Sequence, residues 1–461
     1  MNMHAIVLAG LLMVGAGGVS MGKSVADGAT SAATRTAEGV DASRIRADVD
    51  ALAGFGTRHT ASDTESDVRG IGAARRWLKQ RFEDGVAESG RTGELACEVW
   101  FDTHRVEADG RRILADVDVV NVMCRIPGAD VAARDRLYYV LAHYDSRASD
   151  GADGVSEAPG ANDDASGVAV LLELARVLSR ERLDATVVLM ATAGEEQGLY
   201  GARLHARALR ERGANIAAVL NNDTVGDPSG PDGRMARDVV RVFSEGVPAG
   251  LLRDGEMGDV RSMRTVAGEL DSPSRQLARY VAEVAAAHSP AVEPMLVFRA
   301  DRFLRGGDHT AFNEEGWPAV RFVEVYEDYT KQHQDVRVED GVSYGDLPEF
   351  VDAEYVADVT RLNAMTLVHL ASAPAEPADV RIIAAELTND TTLRWERVDG
   401  ASGYEVVWRE TTSPVWTEAR DVGDRVEATL PLSKDHWVFG VRSYDADGFL
   451  SPVVFPGVGR D

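Results

Sequence analysis

Between Leu137 and Ser179 the chain sets an apolar run, LYYVLA, then HYDSRASDGADGVSEAPGANDDASG from His143 to Gly167, then an amphipathic helix that Ser166-Gly167 opens. A buried strand that leads through a loop of small and acidic residues into a helix is half of a strand crossover, and such crossovers build α/β sheets. The polar residues of that loop gather at the carboxyl end of a strand, where open α/β sheets hold their ligands. A His and an Asp pair placed there read as half of a metal site.

The same grammar continues downstream. TVVLMATAGEE runs from Thr186 to Glu195 and Glu196, a helix follows from Leu199 to Arg212, and AAVLNND ends on Asp223. The segment from Thr224 to Leu270 is rich in Gly, Asp and Pro around one strand, VVRVFSEG, a length that marks a functional rim or a poorly ordered loop. Next come a helix (SPSRQLARYVAEVAAAH), a strand (MLVFRA), the loop DRFLRGGDHTAF opening a helix near Asp308, a strand (AVRFVEVY), and a closing helix ending near Ser372. This predicts a mixed, mostly parallel sheet with helices on both faces. Ahead of it lie two helices and two strands, and the strands place Cys97 and Cys124 about the turn at Asp109-Gly110. The pair reads either as a disulfide or as two buried thiols.

A chain of 461 residues suits two domains with a leader. The apolar run from Ala5 to Val19 predicts a cleaved signal over residues 1–26, and hence a secreted or periplasmic protein with no integral membrane segment after cleavage. Residues 26–39 are small and polar and read as a flexible start. One domain is expected over residues 41–373. After the linker APAEPAD, residues 379–461 change to short alternating strands, the pattern of an all-β sandwich. A net charge of -26 argues against a nucleic-acid partner, which demands a basic footprint.

His143, Asp163, Glu196, Asp223 and His309 are the candidate metal ligands. Each alone has an ordinary explanation: a packed His, an Asp capping a helix, a solvated turn. Their order is the signal, namely HYDS, GANDDASG, AGEE and NND at strand ends and helix mouths, then GGDH before a helix. Two imidazoles and three carboxylates suit a pair of zinc ions.

Together these motifs resemble the co-catalytic di-zinc exopeptidases: bacterial leucyl aminopeptidases, glutamate carboxypeptidase, the transferrin-receptor ectodomain and glutaminyl cyclase. The resemblance spans roughly Ala42 to Ser372. It implies two Zn2+ per chain, with His143 and Asp223 on one, Glu196 and His309 on the other, and Asp163 bridging. Glu195 is then the general base and Asp145 the acid that orients His143. Peptides or proteins are the implied substrates and an aminopeptidase the leading activity, with a carboxypeptidase or glutaminyl cyclase on the same frame as the alternative. A non-catalytic binding protein is a remote third.

Other features receive lesser roles. Asp164 reads as a loop or cap residue, and Gly306 and Gly307 as a close backbone approach to the site. His59 reads as structural, His333 as either a substrate-pocket donor or a loop residue, and the loop from Ser146 to Gly160 as the cleft entrance. GVSYG around Ser343 matches a serine-hydrolase motif, but its polar, proline-containing context is wrong for a nucleophile elbow. LRWERVDGASGYEVVWRE and VFGVRSYDADGFLSP resemble a fibronectin type III module with Trp395 as its core aromatic. Such a module is a spacer or a contact to polymers or surfaces.

Overall fold

The computed structural model describes residues 27–385 and 387–459. The expected leader, residues 1–26, lies outside the described residues. Helices α1 (Asp27–Glu38), α2 (Ala42–Ala53) and α3 (Gly70–Ala87) open the fold. α1 stands where a flexible start was expected. Its Ala29, Ala33 and Ala37 recur at helical spacing and are buried, and this small-residue face packs on the closing helix of the domain. Close packing stabilises such a face, and local polarity does not reveal it.

Strands β1 (Glu98–Val106), β2 (Val117–Ile126), β3 (Arg136–His143), β4 (Thr186–Thr192), β5 (Asn215–Asn222), β6 (Val239–Ser244), β7 (Glu293–Val297) and β8 (Ala319–Glu324) form one sheet in the order β1-β2-β4-β3-β5-β8-β6-β7. Its centre, β4-β3-β5-β8, is parallel, as is β6 with β7. Pairings β1 with β2, β2 with β4, and β6 with β8 are antiparallel. The sheet is therefore mixed, as the sequence predicts.

The remaining helices are α4 (Ala165–Leu178), α5 (Glu195–Gly198), α6 (Tyr200–Glu211), α7 (Ala249–Arg253), α8 (Met257–Thr265), α9 (Pro273–His288), α10 (His309–Glu314) and α11 (Ala353–Ser372). The rim from Thr224 to Leu270 thus holds α7 and α8 besides its strand. Strand alternation feeds two cores. Tyr138, Val140 and Ala142 face α2, α3, α4, α9 and α11, whereas Tyr139 and Leu141 face α6 and α10. Cys97 and Cys124 are both free thiols.

Ser343 lies exposed on a small hairpin, β9 (Arg337–Glu339) with β10 (Val342–Tyr344), so the strand-to-helix elbow of a serine nucleophile is not formed. Beyond α11 come β11 (Arg381–Ile383), β12 (Thr391–Arg394), β13 (Gly403–Glu410), β14 (Glu418–Gly423), β15 (Glu427–Leu430), β16 (Trp437–Tyr444) and β17 (Gly457–Gly459). They make two sheets, β15-β12-β11-β17 and β14-β13-β16, that share an apolar core. Trp395 is in that core, its ring 5.5 Å from that of Tyr404. Among the described residues no helix is long and apolar enough to cross a membrane.

Candidate metal centre

Because β4, β3, β5 and β8 run parallel, their carboxyl ends share one edge. His143 ends β3, Glu195 and Glu196 open α5 just past β4, Asp223 follows β5, and the segment after β8 carries Gln332 and His333. Asp163 comes from the loop before α4. That loop is fixed by Asp164, which caps α4 by accepting from Gly167 N at 2.9 Å and also accepts from His143 N at 3.1 Å. Gly167 is needed at this point, since a Cβ there would lie 2.2 Å from the Asn222 carbonyl oxygen.

Asp163 stands between two imidazoles. Its Oδ1 is 2.9 Å from His143 Nε2 and its Oδ2 is 3.0 Å from His333 Nε2. His143 Nε2 is also 3.9 Å from Asp223 Oδ1, and His333 Nε2 is 2.8 Å from Glu196 Oε1. Ligand-type atoms of His143, Glu195 and Asp223 lie within 4.8 Å of one another, and so do those of Asp163, Glu196 and His333. The carboxylate that belongs beside both trios is Asp163.

The expected set is therefore gathered with one exception. His309 heads α10 with its Nε2 3.0 Å from the Ala300 carbonyl oxygen and 3.5 Å from Asp301 Oδ2, and it joins neither trio. Its predecessor Asp308 is tied to Thr192 by a hydroxyl hydrogen bond, which anchors this turn behind the site. His333 is the imidazole that lies beside Asp163 and Glu196, where His309 was expected. The strand-end rule could have found it, because AVRFVEVY is a strand and YTKQHQD lies in the loop that leaves its carboxyl end.

Asp145 lies against His143 and also braces the turn after β4. Its carboxylate accepts from Glu195 N and Glu196 N, each at 3.2 Å, and so holds the first turn of α5. His143 Nδ1 is 3.1 Å from the Asp145 backbone oxygen and 3.7 Å from its carboxylate. Two further residues carried no sequence signal. Arg321 of β8 is fully buried and pairs with Asp223 at 2.7 Å and with Asp301 at 3.0 Å. Gln332 donates to Asp163 Oδ2 at 2.8 Å.

Of the two glycines, Gly307 makes the close approach: a Cβ there would meet Arg321 at 2.9 Å and Asp223 at 3.0 Å. His59 is buried and bonded to Gly151 O and Ala61 N, a structural role. From the loop expected to form the entrance, only Arg147 lines the cleft, a cavity of about 690 Å³.

Burial pushes Glu195 well above the ordinary glutamate range, with Asp223 and Glu196 adding to it against His143. Burial also raises Asp308, to about 7. It would raise Asp163 too, but hydrogen bonds from His143 and His333 hold that group well below its usual value. Burial lowers His333, yet Glu196 and Asp163 outweigh it and bring the ring up to about 10. Around these groups buried carboxylates outnumber fixed cations, a charge imbalance that a divalent ion held by the trios would relieve. Imidazoles and carboxylates are the donors that zinc takes.

A helix-flanked sheet with such trios at its carboxyl edge fits a metal-dependent enzyme. The model for peptidase family M28 matches residues 121–238. A probable zinc metalloprotease of Leptosphaeria maculans is 43% identical over 422 residues, covering 91% of this chain and 95% of that protein. Another, from Pyricularia oryzae, is 44% identical over 425 residues, covering 90% and 82%. The crystal structure of LapB from Legionella pneumophila shares the fold at a TM-score of 0.50 and 19% identity, covering 73% of this chain and 74% of that one. The chain belongs to peptidase family M28 and is a metallopeptidase, a hydrolase that acts on peptides.

Proposed function

We propose that the chain is an aminopeptidase that holds two zinc ions and releases N-terminal residues. The observation that carries this reading is Asp163, set between His143 and His333 with Glu195 beside the same edge. His143 and Asp223 would hold one ion, Glu196 and His333 the other, and Asp163 both. When bound, zinc polarises the scissile carbonyl and lowers the pKa of water. Glu195 takes the proton of the attacking water and returns it to the leaving nitrogen. Asp145, by holding both amides of the Glu195-Glu196 turn, keeps one carboxylate for the metal and the other for the proton.

Selection for a free amino end is supported by the carboxylate pairing of four of the cleft arginines. A carboxypeptidase needs a cation open to the substrate's terminal carboxylate. Here Arg302 pairs with Asp301 and Glu327, Arg305 with Glu327, Arg203 with Glu314, and Arg321 with Asp223 and Asp301. Arg112 bonds to the Glu196 carbonyl, and Arg147 to those of Ala148 and Ser149. Turnover of amino-acid p-nitroanilides, abolished by N-acetylation and by chelators, is the expected result. Faster cleavage of N-blocked peptides with a free C-terminus overturns it, and conversion of N-terminal glutamine to pyroglutamate would identify a cyclase instead.

The apolar run from Ala5 to Val19 supports export, to the medium or the periplasm. Protein recovered there should begin between Gly18 and Thr30, and recovery only inside the cell with an intact N-terminus would sink that part. The two packed sheets after residue 379 support a fibronectin type III-like module.

A further inference from the structure

A second cluster of metal-type ligands lies on edge strand β1, apart from the catalytic edge. Asp102 and His104 stand two residues apart and so share a face of the strand, where His205 of α6 meets them. Asp102 Oδ2 is 2.8 Å from His104 Nε2, 2.8 Å from His205 Nδ1 and 3.0 Å from Asn121 Nδ2. The ligand-type atoms of Asp102, His104 and His205 all lie within 4.8 Å of one another.

One carboxylate oxygen therefore faces three nitrogens. An oxygen of this kind offers about two lone-pair directions, so three N–H donors overfill it. A cation shared by the trio removes the conflict, because each ring nitrogen then presents a lone pair and Asn121 alone donates to the oxygen. The surroundings fit that state. His205 Nε2 is 3.3 Å from the Tyr139 hydroxyl, which can accept its proton and so leave Nδ1 to coordinate. Side-chain exposures of 21% for Asp102, 18% for His104 and 10% for His205 leave a way in for the ion and room for a water as fourth ligand.

We propose that Asp102, His104 and His205 form an additional zinc site that clamps edge strand β1 to α6. Two imidazoles, one carboxylate and a water make a zinc-type set. The clamp reaches toward the catalytic edge through Asn121, whose side chain also accepts from Ala193 N and donates to Gly201 O, each at 3.2 Å. Those two residues bracket the turn that carries Glu195 and Glu196. The site steadies this turn and takes no part in turnover.

The test is a difference in zinc content and does not depend on how many ions the catalytic edge holds. Full-length protein is stripped with a chelator, reloaded with zinc alone, and zinc per chain is measured by mass spectrometry beside the zinc-dependent rise in melting temperature. His104→Ala and His205→Gln should each bind one zinc fewer than the parent and show a smaller rise. Peptidase activity of zinc-loaded His104→Ala should stay within a few-fold of the parent. Equal zinc content and an equal rise in the parent and His104→Ala overturn the site and leave a hydrogen-bonded triad. Should His205→Gln fail to fold, the partly exposed His104 decides the matter alone.

Discussion

The carboxyl edge of the sheet and the seam between α9 and the C-terminal strands both bury carboxylates, but they balance charge in opposite ways. At the seam, Asp271 pairs with Arg279 at 3.0 Å and with Arg409 at 2.8 Å, and all three side chains are 1–2% exposed. Arg442 likewise lies between Glu283 at 2.6 Å and Glu405 at 2.8 Å. Every charge there has a protein partner, so the arrangement is complete as a joint. At the sheet edge, Asp163, Glu195, Glu196 and Asp223 share two imidazoles and Arg321, and the balance is left to an ion. A buried charge cluster is a binding site when its own residues do not close it.

The comparison breaks first at Glu195. Glu195→Gln should lower kcat by about 10²–10⁴-fold, the range for loss of a general base, while zinc content stays at the parental level. Full activity would remove Glu195 from its role. His333→Ala should lose zinc as well as activity, because Glu196 then lacks its imidazole and Asp163 keeps only His143. His309→Ala provides the contrast, with zinc per chain unchanged. If the two variants exchanged behaviours, the assignment of His333 would fail.

The seam should respond in stability and not in chemistry. Asp271→Ala leaves Arg279 and Arg409 buried without their carboxylate, at a cost of about 3–5 kcal/mol by the behaviour of broken buried ion pairs. Chemical denaturation should show that loss, while kcat of the folded fraction stays parental. A loss of activity without a loss of stability would mean that the joint communicates with the site.

One side of this contrast was legible in the sequence, for identifiable reasons. His143, Asp163, Glu195, Glu196 and Asp223 adjoin strands or helix starts whose apolar runs are unmistakable, so their common edge follows from parallel pairing. His333 lies nine residues beyond β8 in a loop without periodicity, and only long-range packing brings it beside Asp163. GGDH opens a helix as GANDDASG does, but the His309 ring turns toward Ala300 and Asp301, a direction that no local pattern encodes. The seam was invisible for the same reason. Asp271 and Arg409 are 138 positions apart, and a pair at that separation has no signature in one sequence.

Glu245 tests the comparison at its lower limit, as a buried carboxylate with no arginine paired to it among the described residues. It is 7% exposed, and its Oε2 accepts one hydrogen bond, from Ala249 N at 3.0 Å. Burial raises its pKa from the ordinary 4.5 to about 7, against the pull of that bond. Below the lower value both folded and unfolded chains carry the proton, and the group costs nothing. Between the two values the unfolded chain ionises first, so stability falls as pH rises, and above about 7 the penalty is constant. Glu245→Gln keeps an acceptor for Ala249 and removes the titration. It should therefore leave stability unchanged near pH ~4 and raise it near pH ~8, by about 3 kcal/mol at most, since a tenfold change in proton affinity is worth about 1.4 kcal/mol. Denaturant midpoints of parent and variant at the two pH values measure this directly. A gain of equal size at both would show that Glu245 is strained by packing, and that an unpaired buried carboxylate need not be felt as charge.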